Sequence, residues 1–276
     1  MDLATIVGLI AGIGTVVVVM IIDGGSPAEL FAAPGSILLI FGGSLAASAI
    51  TSSVKTVMLV PKFLMQAFTV NKFDANATID VLARLADKAR RDGLLGLEED
   101  SKKIDDKFLQ KGIMMIVDGV DPDQVAAIME TSIEQMNARH KIGIGFFTSA
   151  GGFAPTFGII GTVMGLISVV QQLDNPSALG HAIAAAFLAT LWGLLSANLI
   201  YLPLSGKLKG KNEEEVRNRT MQLEGILSIQ AGENPRVVRD KLNAFLAPSD
   251  LKGEAGDKAK GAEKKPAGRA AEKAQA

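Results

Sequence analysis

Cysteine is absent from this chain of 276 residues, which excludes disulfides, thiol nucleophiles and every Cys-ligated metal site. Histidine occurs only twice, at the isolated positions His140 and His181, so no histidine cluster can form. Also missing are a phosphate-binding G-x-x-x-x-G-K-[ST] loop, a G-x-G-x-x-G turn after a strand and a nucleophile elbow. These gaps point away from an enzyme and predict no cofactor and no metal. Neither sign of charge dominates: the formal net charge is −1, which predicts no nucleic-acid partner. What is present is a mixture, 48% hydrophobic and 21% charged with a mean hydropathy of +0.29. That is too apolar for an ordinary soluble domain and too charged for a pure membrane bundle.

Charge is not merely sparse but segregated. Residues Leu3 to Ile22 and Leu30 to Val54 carry no charged side chain, and Ile142 to Leu173 is equally free of Asp, Glu, Lys and Arg. From Asn175 to Gly206 no Asp, Glu, Lys or Arg occurs, and His181 is the one group there that titrates near neutrality. Each run is long enough to cross a hydrocarbon core, which needs about 20 apolar residues. The expectation is therefore four transmembrane helices. The first is not read as a cleaved leader, because Asp2 stands where a basic residue is expected and the apolar run is longer than a signal core.

All 28 Lys and Arg fall in two segments, 13 between Lys55 and Lys141 and 15 from Lys207 to Lys273. The short connections 23–29 and 174–181 contain none. By the positive-inside rule both termini and the long middle segment are cytoplasmic. The predicted fold is all-α: a polytopic membrane protein with four transmembrane helices and a helical cytoplasmic domain between spans two and three. Its expected layout is 1–54 for spans one and two, 55–141 for the cytoplasmic domain and 142–206 for spans three and four. Cytoplasmic C-terminal helices then fill 207–247, and 248–276 is an Ala/Lys/Glu-rich tail whose composition predicts disorder.

Within the middle segment, Ile79, Leu82, Leu85, Ala86 and Ala89 recur at helical spacing and Asp92-Gly93 supplies a stop. A second helix is expected over Leu97 to Ile116. Asp121-Pro122 caps a third, whose stripe is Val125, Ile128, Met129, Ile133 and Met136. After span four, Asn212 with Glu213 to Glu215 is expected to cap a helix reaching Ile229, and Asn234-Pro235 to start a short one.

The spans contain no mid-membrane ionisable group; His181 lies at the outer edge of span four beside Asp174 and Asn175. A proton relay needs such a group, so the chain alone is a poor ion carrier and a partner must bring the carboxylate. In span three, Pro155, Gly158, Thr162, Gly165 and Val169 share one helical face, and in span four Ala186, Thr190, Gly193 and Ala197 do the same. Small faces permit close helix approach, whether within the bundle or around a partner, and Gly8-xxx-Gly12 offers another. Each threonine can either donate to the carbonyl four residues back or turn its oxygen toward an ion. Pro155, after Gly151-Gly152, and Pro203 each remove a backbone donor and crowd the carbonyls of Gly151 and Leu199. Both are candidate hinges.

The start M-D-L-A-T-I-V-G-L-I, the run S-I-L-L-I-F-G-G-S, the segment A-R-R-D-G-L-L-G-L-E-E and F-A-P-T-F-G-I-I-G-T-V-M-G-L-I closely resemble the bacterial flagellar stator family MotA/PomA. So do L-A-T-L-W-G-L-L-S-A-N and A-G-E-N-P-R-V-V, in the same order, over about residues 1 to 247. The resemblance implies a torque generator in the bacterial inner membrane. It implies a homo-oligomeric ring, expected to be a pentamer, around a MotB/PomB-type single-span partner that supplies the ion-binding aspartate, with H+ or Na+ as the transported ion. It also implies contact with the rotor protein FliG. The family's ion-path threonines match Thr162 and Thr190, its functional prolines match Pro155 and Pro203, and its charged rotor pair matches Arg90 and Glu98, with Arg91, Asp92 and Glu99 beside them. Sodium-type relatives carry an acidic residue near the start of span two, where this chain has Ala33; that departure leans toward protons. The nearest alternative is an ExbB/TolQ-like energising subunit, a group that resembles spans three and four but has three spans and an outside N-terminus.

Overall fold

The computed structural model describes residues 3–69, 73–174 and 176–251, with the side chains of 176–178 left aside. Among these residues the secondary structure is entirely helices and turns. The chain divides into two compact units, Met1–Asn71 with Asn137–Glu213 and Lys72–Met136 with Glu214–Ala276.

The first unit begins with α1 (Leu3–Ile22), in which no residue is buried within the chain. The expected second span is split. Pro27–Phe31 forms a short 3-10 turn boxed by Ser26 and Glu29, and α2 runs only from Pro34 to Ile50. Pro34 at the first helical position holds Ala33 in a non-helical conformation, which sets the start. Ser53 caps α3 (Val54–Phe68) and sets the end. At 17 residues α2 is about 26 Å long, a little short of a full hydrocarbon core. Three helical stretches are long and apolar enough to cross a membrane, Leu3–Ile22, Pro122–Gln171 and Leu179–Gln230, with α2 as a shorter apolar helix.

The last two stretches are built from α7 (Pro122–Gln171), α8 (Pro176–Leu195), a π-helical turn over Ser196–Tyr201 and α9 (Leu202–Gln230). Pro155 lies inside the continuous α7. Pro203 sits in the first turn of α9, directly after the π turn, and the helix continues through it. The amide of Leu202 reaches back five residues to the Ala197 carbonyl, and this wider turn gives the Leu199 carbonyl room beside the proline ring. Asn212 is likewise no cap. It is buried within α9, where its amide donates to Asn137 Oδ1 at 2.8 Å and its oxygen lies 3.0 Å from His140 Nδ1. Lys211 takes over the capping of α3 by donating to the Gln66 and Ala67 carbonyls at 2.7 and 3.0 Å.

Small and aromatic residues form this unit's core: Ala150, Ala154, Ala189 and Ala197 beside Ile40, Phe146, Phe147 and Tyr201. Polar contacts fix α2 against α8 and the π turn. Ser36 donates to the Ala185 carbonyl at 3.2 Å, Ser44 to Tyr201 Oη at 3.2 Å, and the Trp192 indole to the Leu30 carbonyl at 2.7 Å.

The second unit has an aliphatic core. Ile79, Leu82, Leu85 and Ala86 of α4 (Ala75–Asp92) are buried with Val125, Met129 and Ile133 of α7. Ile128, expected in the same stripe, is 43% exposed, because the stripe is narrower than the spacing suggested. Gly93, at φ +76°, ends α4 as expected. The single helix expected over Leu97 to Ile116 is instead broken. A 3-10 turn over Leu94–Leu97 leads into the one-turn α5 (Glu98–Ser101), and α6 (Lys107–Val117) starts afresh at Asp106, whose carboxylate accepts from the Phe108 and Leu109 amides. Asn234 caps α10 (Pro235–Asn243) as expected, accepting from the Arg236 amide at 2.9 Å. Pro248 to Leu251 continue into a turn in which Asn76 donates to the Asp250 carbonyl at 3.0 Å; the rest of the expected tail, 252–276, lies outside the described residues.

Candidate functional site

In the first unit α7 and α8 meet along a seam with almost no side chains. A methyl group placed on Gly158 would stand 3.1 Å from the Ala189 carbonyl and 3.3 Å from the Gly193 Cα, and one on Gly193 would stand 3.0 Å from the Ala154 carbonyl. Gly165 faces Ala186 and Gly161 faces Ala189 as closely. The small residues at 158, 161 and 165 thus let two backbones touch, and that contact replaces a hydrophobic driving force that lipid cannot supply. Gly161 and Ala189 were missed in the sequence, although they continue the same spacing of small residues. The glycine pair in α1 divides: Gly12 packs on Leu199, while Gly8 has nothing near it.

This contact brings Thr162 and Thr190 together. Their hydroxyls are hydrogen-bonded to each other, and Thr162 Oγ1 also lies 3.0 Å from the Gly158 carbonyl and 3.3 Å from the Ala186 carbonyl. Thr162 makes the back-bond that the sequence offered, and it also makes a cross-helix bond that the sequence did not show. The result is a group of four oxygens inside an apolar seam that holds no charged side chain. Such a group can coordinate a desolvated cation or pass a hydrogen bond to water, but it cannot itself release a proton near neutrality. Pro155 is half-buried two turns before Thr162 on the same helix, and Pro203 is exposed.

The charged residues lie in the second unit. Arg90 and Arg91 occupy the last turn of α4, where cations suit the helix dipole, and Glu98 and Glu99 the first turn of α5, where anions do. Gly93 and the 3-10 turn fold the two ends together. Arg91 pairs with Asp87 at 2.7 Å and Glu98 with Lys102 at 2.8 Å. Among the described residues no side-chain bond is made by Arg90 or Glu99, and both are exposed. The Lys102 hydrogen bond and charge hold the Glu98 carboxyl below its ordinary pKa. Beneath them lies a pair not singled out in the sequence: Lys88 and Asp100, 2.7 Å apart and each about one-third exposed. Their hydrogen bond lowers the Asp100 pKa and raises that of Lys88. A cleft of about 910 Å³ opens beside this pair and is lined also by Arg236 and Arg239 of α10. Among the described residues no group of three or more His, Asp or Glu is arranged to hold a metal.

Known proteins resemble this chain over most of its length. Residues 6–93 match the motility protein A N-terminal region, and residues 100–221 match the MotA/TolQ/ExbB proton channel family. The motility protein A of Borreliella burgdorferi is 36% identical over 91% of this chain and 96% of its own length. Among solved structures, the C. jejuni MotAB complex matches with a TM-score of 0.84 at 32% identity, covering 90% of this chain and 96% of that one. The flagellar MotAB stator complex of Bacillus subtilis matches with a TM-score of 0.83 at 37% identity, covering 89% and 96%. Likeness at this identity over nearly the full length of both chains leaves one reading of its kinship: the chain belongs to the motility protein A (MotA) family of flagellar stator subunits.

Proposed function

We propose that this chain is the channel-forming stator subunit of a bacterial flagellar motor, coupling ion flow to torque. The observation that carries the reading is the Thr162–Thr190 hydroxyl pair, set in a tightly packed apolar seam without a carboxylate. A path of that kind needs a carboxylate from elsewhere, and a MotB/PomB-type single-span partner supplies it through its aspartate. Solved structures similar to this one over nearly its whole length are MotAB complexes, which supports such a partner. The chain acts as a ring, a pentamer, in the inner membrane. It has four spans with both termini cytoplasmic, α2 being the second span, and residues 55–141 with 207–247 form the cytoplasmic part. Arg90, Arg91, Glu98 and Glu99 meet the rotor protein FliG, where exposed charges give fast, reversible contact. Pro155 and Pro203 couple ion binding to movement of the ring.

The proposed ion is the proton, because the acidic residue of sodium-type relatives is replaced by Ala33, which is buried ahead of α2. The chain is not an enzyme and uses no cofactor. An ExbB/TolQ-like role is weaker: the family common to all three covers residues 100–221, while residues 6–93 match the motility protein A N-terminal region.

The test is swimming in a motile host lacking its own stator, with this chain and its cognate single-span partner expressed together while proton and sodium gradients are collapsed separately. Loss of motion with the proton gradient alone is expected. Thr190→Val should assemble normally yet abolish rotation. No rescue with both chains in the membrane, or normal swimming by Thr190→Val, would overturn the reading.

A further inference from the structure

Thr162 and Thr190 are not the only hydroxyls that meet across the helices of the first unit. Fourteen residues earlier on α7, about 21 Å along the axis, Thr148 Oγ1 lies 2.7 Å from Ser205 Oγ of α9. Both hydroxyls also reach the Ile144 carbonyl, Thr148 at 3.0 Å and Ser205 at 3.1 Å. Three oxygens thus converge with only two hydroxyl hydrogens among them, so one close oxygen pair always lacks a bridging hydrogen. The lone pairs left over on these oxygens can be offered to a cation or a proton-bearing water.

The chemistry is that of the first pair. Thr162 also has a carbonyl four residues back, a hydroxyl from the facing helix and a further carbonyl within reach. Thr15, by contrast, only donates to the Ala11 carbonyl at 2.8 Å, and Ser168 only to the Met164 carbonyl at 3.3 Å. These lone back-bonded hydroxyls are what a merely tolerated side chain looks like in an apolar helix. Thr148 differs by meeting a buried second hydroxyl. Thr148 and Thr162 lie close to four turns apart, within about 40° of the same helix face, with Pro155 midway. Thr148 is seven residues from Lys141, and Ser205 two from Lys207. The cluster therefore marks the charged end of the apolar runs.

We infer that the Ile144 carbonyl, Thr148 and Ser205 form a second polar station for a partly hydrated monovalent cation, proton-bearing water or sodium, between the Thr162–Thr190 pair and the charged end of α7. The inference rests on the ion path proposed above. A station of this kind governs how fast ions leave, not how hard each one pushes. Its removal slows a lightly loaded motor and leaves stall torque unchanged.

The experiment uses the complete complex in a stator-less host, with bead rotation recorded at low load and at stall while the proton and sodium gradients are varied in turn. The Thr148→Val/Ser205→Ala double variant should turn about fivefold more slowly at low load, the rate equivalent of one net hydrogen bond. It should keep its stall torque and recover speed as the driving gradient rises. Thr148→Ser, which keeps the hydroxyl, should run at nearly the parental speed. Unchanged low-load speed in the double variant overturns the station, and so does a fall that merely follows stall torque. If the double variant does not reach the membrane, Thr148→Val alone is read by the same criteria. Thr162→Val serves as the reference: if it too leaves rotation unchanged, the ion path itself fails, whereas loss of rotation there beside a silent double variant sinks only the second station.

Discussion

The two units of this chain bury opposite kinds of residue. In the second, Leu82, Ile113, Ile116, Met129 and Ile226 are fully enclosed and the outer faces are charged, the arrangement water enforces. In the first, the enclosed positions are largely Ala, Gly and Ser, while Ile10, Leu38, Ile159 and Phe187 point outward. A side chain as apolar as a lipid tail gains nothing by moving inward from lipid, so contacts there come from close backbone approach and hydrogen bonds. The same amino-acid types therefore carry different weight in the two units: large aliphatic side chains dominate the inside of the second, while many of those in the first lie on its outside.

That contrast can be broken by mutation. In the second unit, removing atoms should be the damaging change. Leu82→Ala should lower stability by about 3 kcal/mol, read as a fall in the thermal midpoint of the purified complex. Gly193→Val, which adds atoms to the first unit's seam, should cost about 2 kcal/mol and lower the yield of assembled complex from the membrane. A first unit that tolerated the added side chain would end the comparison.

Asp106 sharpens it. Its carboxylate starts α6 and ties it to α9, accepting from Arg219 at 2.6 Å and from Gln222 at 2.9 Å. Burial pushes its pKa up, but the Gln222 and Arg219 hydrogen bonds, the Arg219 charge and the Phe108 amide outweigh that and hold it below the ordinary value. A lowered folded pKa means that the stabilisation is complete above about pH 4 and is lost as the pH falls through the folded value. Asp106→Asn should cost about 1 to 2 kcal/mol at neutral pH and flatten the acid limb of a melting-temperature titration. An acid limb as steep as the parent's would assign the sensitivity elsewhere.

The smallest stability effect belongs to the exposed charges. Asp87→Ala, which removes the partner of Arg91, should change the thermal midpoint by less than the equivalent of about 0.5 kcal/mol, since both side chains are more than half exposed. Arg90→Glu should be equally silent in melting yet weaken motor recruitment, and an opposite-sign change on the rotor should partly restore it. If every charge-swap pair fails, the face is merely solvated.

Much of this was legible in the residues. The Ile79–Ala86 stripe, the Gly93 stop and the Asn234 cap are local signals, and local signals survive folding. The helix expected over Leu97 to Ile116 failed because Asp106 is a cap whose partners Arg219 and Gln222 lie more than a hundred residues away. Asn212 failed for the mirror reason: it has the chemistry of a cap, but Asn137 and His140 give it partners inside a continuous helix.

By itself the sequence determined that the chain is helical, that several of its segments are too apolar for water, and that any ion path must borrow a carboxylate. Composition and charge spacing are properties of the chain before it folds. Only the tertiary structure decided that Thr162 meets Thr190 and Thr148 meets Ser205. Each depends on which backbones can approach closely enough for two short side chains to touch, and that distance is written in no single segment.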